Sequence, residues 1–206
     1  MSGVTAIPIN LACEDELSEA VQRKLLATAD RGYHVGQCFR RGGYGYLRSR
    51  IRGFNQAARG LAFFVLTDLD EFPCATALID DWISVPRHPN LLFRVAVREV
   101  ESWLLADKDG FAKFLRVEPQ YVPALPDTEV DAKRALIGVA RRSPIKELRE
   151  AVVPRRGSTA SQGPDYNRPL VEFVVARWNP EAAARRSDSL NRTIRALSGF
   201  SPSFAR

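Results

Sequence analysis

The clearest hydrophobic pattern in the chain is a continuous apolar run that ends in two carboxylates. The run begins at Leu61, and Asp68 and Asp70 stand at its end. Aliphatic and aromatic residues in a run of this length predict a strand that is buried on both faces. Because side chains two positions apart on a strand point the same way, we expect Asp68 and Asp70 to converge.

Two further apolar segments change into a helical pattern at an acidic residue. Residues 4–13 have strand composition, and Glu14 precedes an amphipathic helix predicted over 17–29. Residues 91–98 form another predicted strand, followed by Glu101 in the first turn of a helix. The three strand ends therefore predict a carboxylate cluster at the edge where open α/β sheets bind ligands.

Each of these acids also has an ordinary structural interpretation. Asp68 is a candidate cap for the helix expected near Pro73, which would leave Asp70 simply solvated. Glu101 and the acids after the first strand suit a first helical turn, where they complement the helix dipole. The alternative is a metal site, because close carboxylates repel each other unless a cation neutralises them, and Mg²⁺ prefers oxygen ligands.

The second half of the chain has a helical pattern with few strand signals. A proline-punctuated connection at 119–126 separates it from the strands, and closing helices are predicted at 166–178 and 187–197. We therefore expect an α/β core over residues 1–118, with a Rossmann-like sheet, flanking helices and a helical extension over 119–206 packed on the core.

Two segments of this extension carry specific predictions. A helix is expected over 127–142, with its cap at Asp127 or Thr128 and with Val130 facing inward. Residues 154–164 (PRRGSTASQGP) form the most loop-like stretch of the chain. This stretch is either a loop that a substrate orders or a linker.

Positive charge is concentrated in one part of the sequence. The chain has a net charge of +6, and seven arginines but no acidic residue occur between Arg31 and Thr67. Arginine forks bind phosphate, and the interleaved tyrosines suit stacking on bases. The alternative is a solvated loop that leads into a basic helix at 48–58. The predicted nucleic-acid-binding residues are Arg40, Arg41, Arg48, Arg50 and Arg52.

Composition excludes several other classes of function. Three cysteines without a CxxC spacing fit reduced thiols, and two dispersed histidines argue against a zinc site. No apolar stretch approaches the length of a membrane span, and residues 1–4 lack the pattern of a secretory signal. We therefore expect a cytoplasmic protein that makes no membrane contact.

The predicted acid cluster suits metal-assisted phosphoryl transfer or phosphodiester hydrolysis. In three segments the chain resembles a TOPRIM-type catalytic domain, and more narrowly a bacterial family of TOPRIM-like domains of unknown function. The matching segments are 12–19 (ACEDELSE), 67–70 (TDLD) and 100–107 (VESWLLAD), with a weaker likeness at 164–167 and 187–190. The resemblance departs from the usual pattern at Asp15, where many TOPRIM proteins have glycine.

The resemblance implies a TOPRIM-like sheet and Mg²⁺-dependent nucleic-acid chemistry, with Mn²⁺ as an alternative ion, as in the overcoming-lysogenization-defect (OLD) nucleases. It implies catalytic roles for Glu14, Asp68, Asp70 and Glu101. Of these, Glu14, Asp68 and Asp70 would be metal ligands, with Glu14 alternatively a general base and Glu101 a further ligand or positioning acid. Relatives of this type are often linked to anti-phage defence, sometimes beside a separately encoded ATPase of the AAA or ABC type.

The sequence analysis thus leads to a Mg²⁺-dependent nuclease that acts on DNA or RNA. One rival is a non-catalytic subunit that tethers nucleic acid or an ATPase partner through its arginines. Another rival is phosphotransfer on a small nucleotide at the same metal site. Nuclease activity requires the acids and a divalent ion, whereas tethering requires the arginines and weakens steeply with salt. The oligomeric state is open.

Overall fold

The computed structural model describes residues 6–204, and their contacts divide the chain into two units. The first unit comprises the chain up to Ala96 and again from Arg192 onward, and the second unit is Val97–Asn191. The separation of a 1–118 core from a 119–206 extension stays a prediction.

The first unit contains a parallel four-stranded sheet. Its strands are β1 (Ile7–Ala12), β2 (Tyr33–Phe39), β3 (Phe63–Asp68) and β4 (Leu91–Ala96), in the order β2-β1-β3-β4. β3 is buried on both faces from Phe63 to Thr67, which explains its run of apolar residues, and β1 is buried at Ile9, Leu11 and Ala12. The predicted α/β class with a parallel sheet is therefore confirmed.

Helices connect the parallel strands, as crossover connections require. In the first unit these are α1 (Glu16–Thr28), α2 (Gly43–Ala57) and α3 (Ala75–Trp82). α1 is fixed to the sheet by the buried Gln22 side chain, whose amide nitrogen donates to the carbonyl oxygens of Ala12 and Phe64.

An aromatic cluster joins α2 and α3 to the sheet. The ring centroids of Phe54 on α2 and Phe63 on β3 are 5.3 Å apart, and those of Trp82 on α3 and Phe93 on β4 are 5.5 Å apart. Such tilted pairs add a specific contact to the burial of large apolar surfaces.

The part of the chain from Arg192 onward completes the first unit. It includes the end of the last helix, α10 (Asp188–Gly199). The Tyr33 hydroxyl on β2 donates to the Leu197 carbonyl, and the side chain of Asn90 exchanges two hydrogen bonds with the backbone of Ser203. These bonds hold residues from both ends of the unit together.

The described residues of the second unit are helical, with no strand. Trp103 and Trp178 are fully buried, and the indole nitrogen of Trp178 donates to the Trp103 carbonyl at 3.1 Å. Besides the start of α10, the helices are α4 (Val100–Ala106), α5 (Lys108–Leu115), α6 (Ala132–Ala140), α7 (Lys146–Val152), α8 (Asn167–Ala176) and α9 (Pro180–Ala184). Across residues 6–204, no helix has the length and apolar character needed to cross a membrane.

The helix expected over 127–142 is wrong in its first part. A 3₁₀ turn occupies Pro126–Thr128, and α6 begins only at Ala132, where the Asp131 carboxylate accepts the N–H of Arg134. Val130 is 88% exposed rather than inward-facing. The apolar periodicity therefore extended the predicted helix by one turn too many at its start.

Candidate active site

Glu14 lies two residues beyond the carboxyl end of β1 and contacts the end of β3. Its Oε1 atom accepts a hydrogen bond from the Thr67 hydroxyl at 2.5 Å and another from the Asp68 N–H at 3.2 Å. Thr67 is only 1% exposed, so its hydroxyl holds the Glu14 carboxylate from the buried side of the site. The two strand ends are thus joined by an acidic side chain.

Asp68 and Asp70 occupy different kinds of backbone. Asp68 is the last residue of β3 and is partly buried, whereas Asp70 lies beyond the strand in a turn closed by the Phe72 N–H on the Leu69 carbonyl. Asp70 has φ of 48°, a left-handed conformation that aspartate tolerates better than most residues. The alternation of side chains along a strand therefore does not apply to this pair, because β3 ends before Asp70.

The electrostatics of Glu14 reflect burial and neighbouring acids. Burial raises the pKa of Glu14, while the hydrogen bonds from Thr67 and Asp68 lower it. The negative charges of Asp70 and Asp15 raise the pKa of Glu14 further. Glu14 and Asp70 are therefore close enough to repel each other, which is the condition that a bound cation would relieve.

The capping explanation holds after β1 and fails after β3. Asp15 is the N-cap of α1, and its Oδ1 accepts the N–H of Ser18 at 2.8 Å. This cap gives Asp15 a structural role at the start of α1. The cap of α3 is Cys74, whose Sγ accepts the Ala77 N–H, so the proposed capping role of Asp68 is wrong.

The strand order places the acidic edge, which we define as Glu14, Asp68 and Asp70, at a point where the order of the strands reverses. The chain passes from β1 outward to β2 and then returns to β3 on the other side of β1. In open α/β sheets the crevice beyond such a reversal is the usual place for a ligand. Glu14 and Asp68 stand at the two strand ends that form this reversal.

A divalent ion would be held here by few protein ligands. Within residues 6–204, no three histidine, cysteine, aspartate or glutamate side chains form a group that could hold a metal ion. Mg²⁺ commonly uses only one or two carboxylates and completes its shell with water and substrate phosphates. The described residues therefore do not bring Glu14, Asp68 and Asp70 together as the predicted set of three ligands, and a site at this edge would use one or two of their carboxylates.

Glu101 belongs to the second unit, where it is 4% exposed. The Tyr166 hydroxyl donates to its Oε1 at 2.9 Å, and the Lys133 Nζ lies 3.6 Å from the same oxygen. Burial raises the pKa of Glu101 to about 7, although the charge of Lys133 opposes the shift. The negative charge of Glu99, whose side chain accepts the Lys133 N–H, adds to the increase in the pKa of Glu101.

Sequence patterns did not identify Thr67 or Tyr166 as members of these sites. Thr67 directly precedes a predicted ligand, and a hydroxyl beside an acid at a strand end is a signal for such a contact. Tyr166 lies 65 positions after Glu101, so only the tertiary fold brings the two side chains together.

The five arginines predicted to bind nucleic acid are all exposed. Arg40 forms an ion pair with Glu19 on α1, and Arg48 forms one with Asp81 on α3. The helix begins at Gly43 rather than near residue 48, so most of the glycine and tyrosine stretch is helical. The nucleic-acid role of Arg40, Arg41, Arg48, Arg50 and Arg52 stays a prediction.

Comparison with known proteins leaves the fold and the site geometry as the basis for a functional conclusion. No family model, curated protein or solved structure matches the chain. The class that the structure defines is an α/β protein with a parallel sheet and helices on its connections.

Proposed function

We propose that the protein is a metal-dependent nuclease of TOPRIM-like type. The observation that carries this proposal is the acidic edge at the β1/β3 reversal, where Glu14 bridges to Thr67 and Asp68 and lies within electrostatic reach of Asp70. The TOPRIM assignment, a role in anti-phage defence and an ATPase partner depend on the sequence resemblance.

The chain's own residues would divide the work as follows. Asp68 and Asp70 would hold Mg²⁺ or Mn²⁺ through their carboxylates, and Glu14 would act as the base that accepts a proton from water. Thr67 fixes Glu14 in place by its hydrogen bond. When bound, the ion supplies charge neutralisation at the phosphate and a more acidic water.

Glu101 has a different environment from the other three acids. A buried carboxyl with a pKa of about 7 exchanges protons near neutral pH, as a general acid or base does. The catalytic role assigned to it by resemblance is therefore chemically reasonable within its own unit. The catalytic role of Glu101, like the metal site, is therefore part of the proposal.

The decisive experiment compares two double variants with the wild type. Asp68→Asn/Asp70→Asn removes two charges from the acidic edge, and Asp30→Asn/Asp80→Asn removes two charges from exposed acids elsewhere in the first unit. Saturable Mg²⁺ or Mn²⁺ binding is measured by calorimetry, and cleavage is followed on mixed single- and double-stranded DNA and RNA. We expect cleavage to fall by about 100-fold or more in the first variant only.

The other outcomes are also informative. Equal loss in both variants would mean that net charge, rather than the acidic edge, supports activity. Folded wild-type protein that binds neither ion would overturn the proposal.

A second function is favoured by the exposed arginines. If the wild type binds the ion and nucleic acid without cleaving it, a tethering subunit is the better description. The five guanidinium groups are accessible along residues 40–52. In that case binding would not require Asp68 or Asp70.

A further inference from the structure

A basic cavity in the second unit lies outside the proposed catalytic edge. It has a volume of about 630 Å³, within the range of small-molecule sites. α6 and the loop that follows α7 form its walls. The charged residues that line it are Lys133, Arg134, Arg141, Arg155, Arg156 and Asp131.

The loop that supplies two of these arginines is closed at its base. The Gly163 N–H donates to the Val152 carbonyl at 2.9 Å, and the Asp165 N–H donates to the Ala151 carbonyl at 3.2 Å. A Cβ atom at Gly163 would lie 2.1 Å from the Ala151 carbonyl oxygen, so the close approach requires glycine. Compact loops with adjoining ends are frequently functional.

A tight turn inside the loop presents the two arginines. The Ser158 N–H donates to the Arg155 carbonyl at 2.9 Å, and Gly157 has φ of 81°. Glycine with positive φ at the third position is typical of a type II turn, with Arg156 at the second position. The Ser158 hydroxyl accepts the Ala160 N–H and braces the turn.

The charges of the cavity are only partly compensated by protein acids. Five cationic side chains and one carboxylate line the cavity, and the pairing of Lys133 with Glu101 reduces the formal excess to three positive charges. Within the described part of the chain, no carboxylate forms a salt bridge with Arg134, Arg141, Arg155 or Arg156. The Asp131 carboxylate already accepts the N–H of Arg134 as the cap of α6.

We propose that this cavity binds a small ligand that carries two or more linked phosphate groups. A phosphodiester carries a charge of about −1. A terminal phosphate carries about −1.5 to −2 at pH 7 and each further linked phosphate adds about −1, so a polyphosphate matches the excess better than one phosphodiester. The planar guanidinium group of arginine can donate two parallel hydrogen bonds to two oxygen atoms of a phosphate group. The cavity volume of about 630 Å³ favours a compact ligand, such as a nucleoside polyphosphate, over an extended strand.

The proposal does not depend on the nuclease function and is tested without a divalent ion. Calorimetric titrations of the full chain in chelator use adenosine triphosphate, inorganic triphosphate and adenosine monophosphate. We expect both triphosphates to bind at least tenfold more tightly than the monophosphate. The Asp68→Asn/Asp70→Asn variant should bind them as the wild type does.

A charge-matched pair of variants tests the location of the site. Arg155→Ala/Arg156→Ala should weaken triphosphate binding by about tenfold to a hundredfold, because charge-assisted hydrogen bonds are lost. Arg177→Ala/Arg185→Ala removes the same charge from exposed positions outside the cavity and should leave binding within about twofold. Circular dichroism verifies that both variants are folded.

Three results would overturn the proposal. They are no binding of either triphosphate by the wild type, an equal loss in the two arginine variants, and tight binding of a single-stranded oligonucleotide that neither triphosphate displaces. Equal affinity for the inorganic and the nucleoside triphosphate would support it and would assign recognition to the phosphate chain alone.

Discussion

At the scale of single residues, the carboxyl group of Glu101 has the most distinctive chemistry in the second unit. It is buried, accepts a hydrogen bond from Tyr166 and faces Lys133 at 3.6 Å, yet burial raises its pKa to about 7. Burial therefore outweighs both favourable partners. A carboxyl group in this state makes the stability of the protein sensitive to pH over a range where ordinary glutamates no longer titrate.

Glu101→Gln tests this sensitivity. The folded state holds the proton more tightly than the unfolded chain, where glutamate titrates near 4.5, so the stabilisation is complete below that pH and is lost as pH rises to about 7. We expect the wild type to lose up to roughly 3 kcal/mol relative to the variant over this range. Urea unfolding at pH 4.5 and 8 measures the difference.

The difference between the two proteins isolates Glu101 from other titrating acids. Burial also raises the pKa values of Asp107 and Asp127, but these groups are present in both proteins. Parallel pH profiles for the wild type and Glu101→Gln would contradict the assigned shift.

At the scale of elements, two glycines predict opposite responses to the same substitution. Gly163→Ala places a Cβ atom against the Ala151 carbonyl at the base of the loop after α7, so the backbone must move. We expect a loss of about 1–3 kcal/mol in the free energy of unfolding. Gly53→Ala lies in α2, where nothing is within 4 Å of an added Cβ, and should gain about 0.5–1 kcal/mol.

Chemical denaturation of the two alanine variants gives the comparison directly. Gly163→Ala should also weaken triphosphate binding, since the loop carries Arg155 and Arg156. An unchanged midpoint for Gly163→Ala would show that the close contact at the base of the loop relaxes without cost.

Hydrophobic patterns in the sequence predicted the buried strands and missed β2, which is only partly buried. The run at 61–67 and the strand at 91–98 were found because both are rich in apolar residues, and they correspond to β3 and β4. β2 was not predicted, because it is an edge strand with only partial burial and its sequence, YHVGQCF, has no continuous apolar run.

The sequence predicted the acidic residues of the candidate sites but not the residues that contact them. Glu14 and Asp68 follow from strand ends, which periodicity locates. Their connection through Thr67 depends on strand order, and the contact of Glu101 with Lys133 and Tyr166 depends on helix packing. Neither strand order nor helix packing is encoded in local spacing, so these partners required the structure.

At the scale of the whole molecule, positive charge governs the approach of polyanions. The net charge is +6, and Arg40 and Arg48 are already paired with acids. Arg41, Arg50 and Arg52 are exposed, so we expect them to make most of the proposed nucleic-acid contact of residues 40–52.

Arg41→Ala/Arg50→Ala/Arg52→Ala tests this expectation. Each lost phosphate contact lowers the slope of log affinity against log salt by about 0.9, so the slope should fall by up to about 2.7 for duplex DNA. Fluorescence anisotropy titrations with duplex DNA at salt concentrations between about 50 and 200 mM measure this slope.

A charge-matched variant separates local contact from net charge. Arg177→Ala/Arg185→Ala/Arg195→Ala removes three exposed arginines elsewhere. It should keep the slope of the wild type. An equal decrease in both triple variants would contradict a binding role for residues 40–52.

The division of the first unit into two stretches of chain has a consequence for biosynthesis. The sheet strands are translated first, but Leu197 and Ser203, which bond to Tyr33 and Asn90, follow only after the whole of Val97–Asn191. During synthesis the sheet strands therefore lack these hydrogen-bond partners until the second unit has been translated. We therefore expect ribosome-bound chains that stop before Arg192 to have a protease-sensitive first unit. A variant in which Ala96 is joined directly to Arg192 should reach protease resistance earlier in synthesis, because its partners are translated sooner.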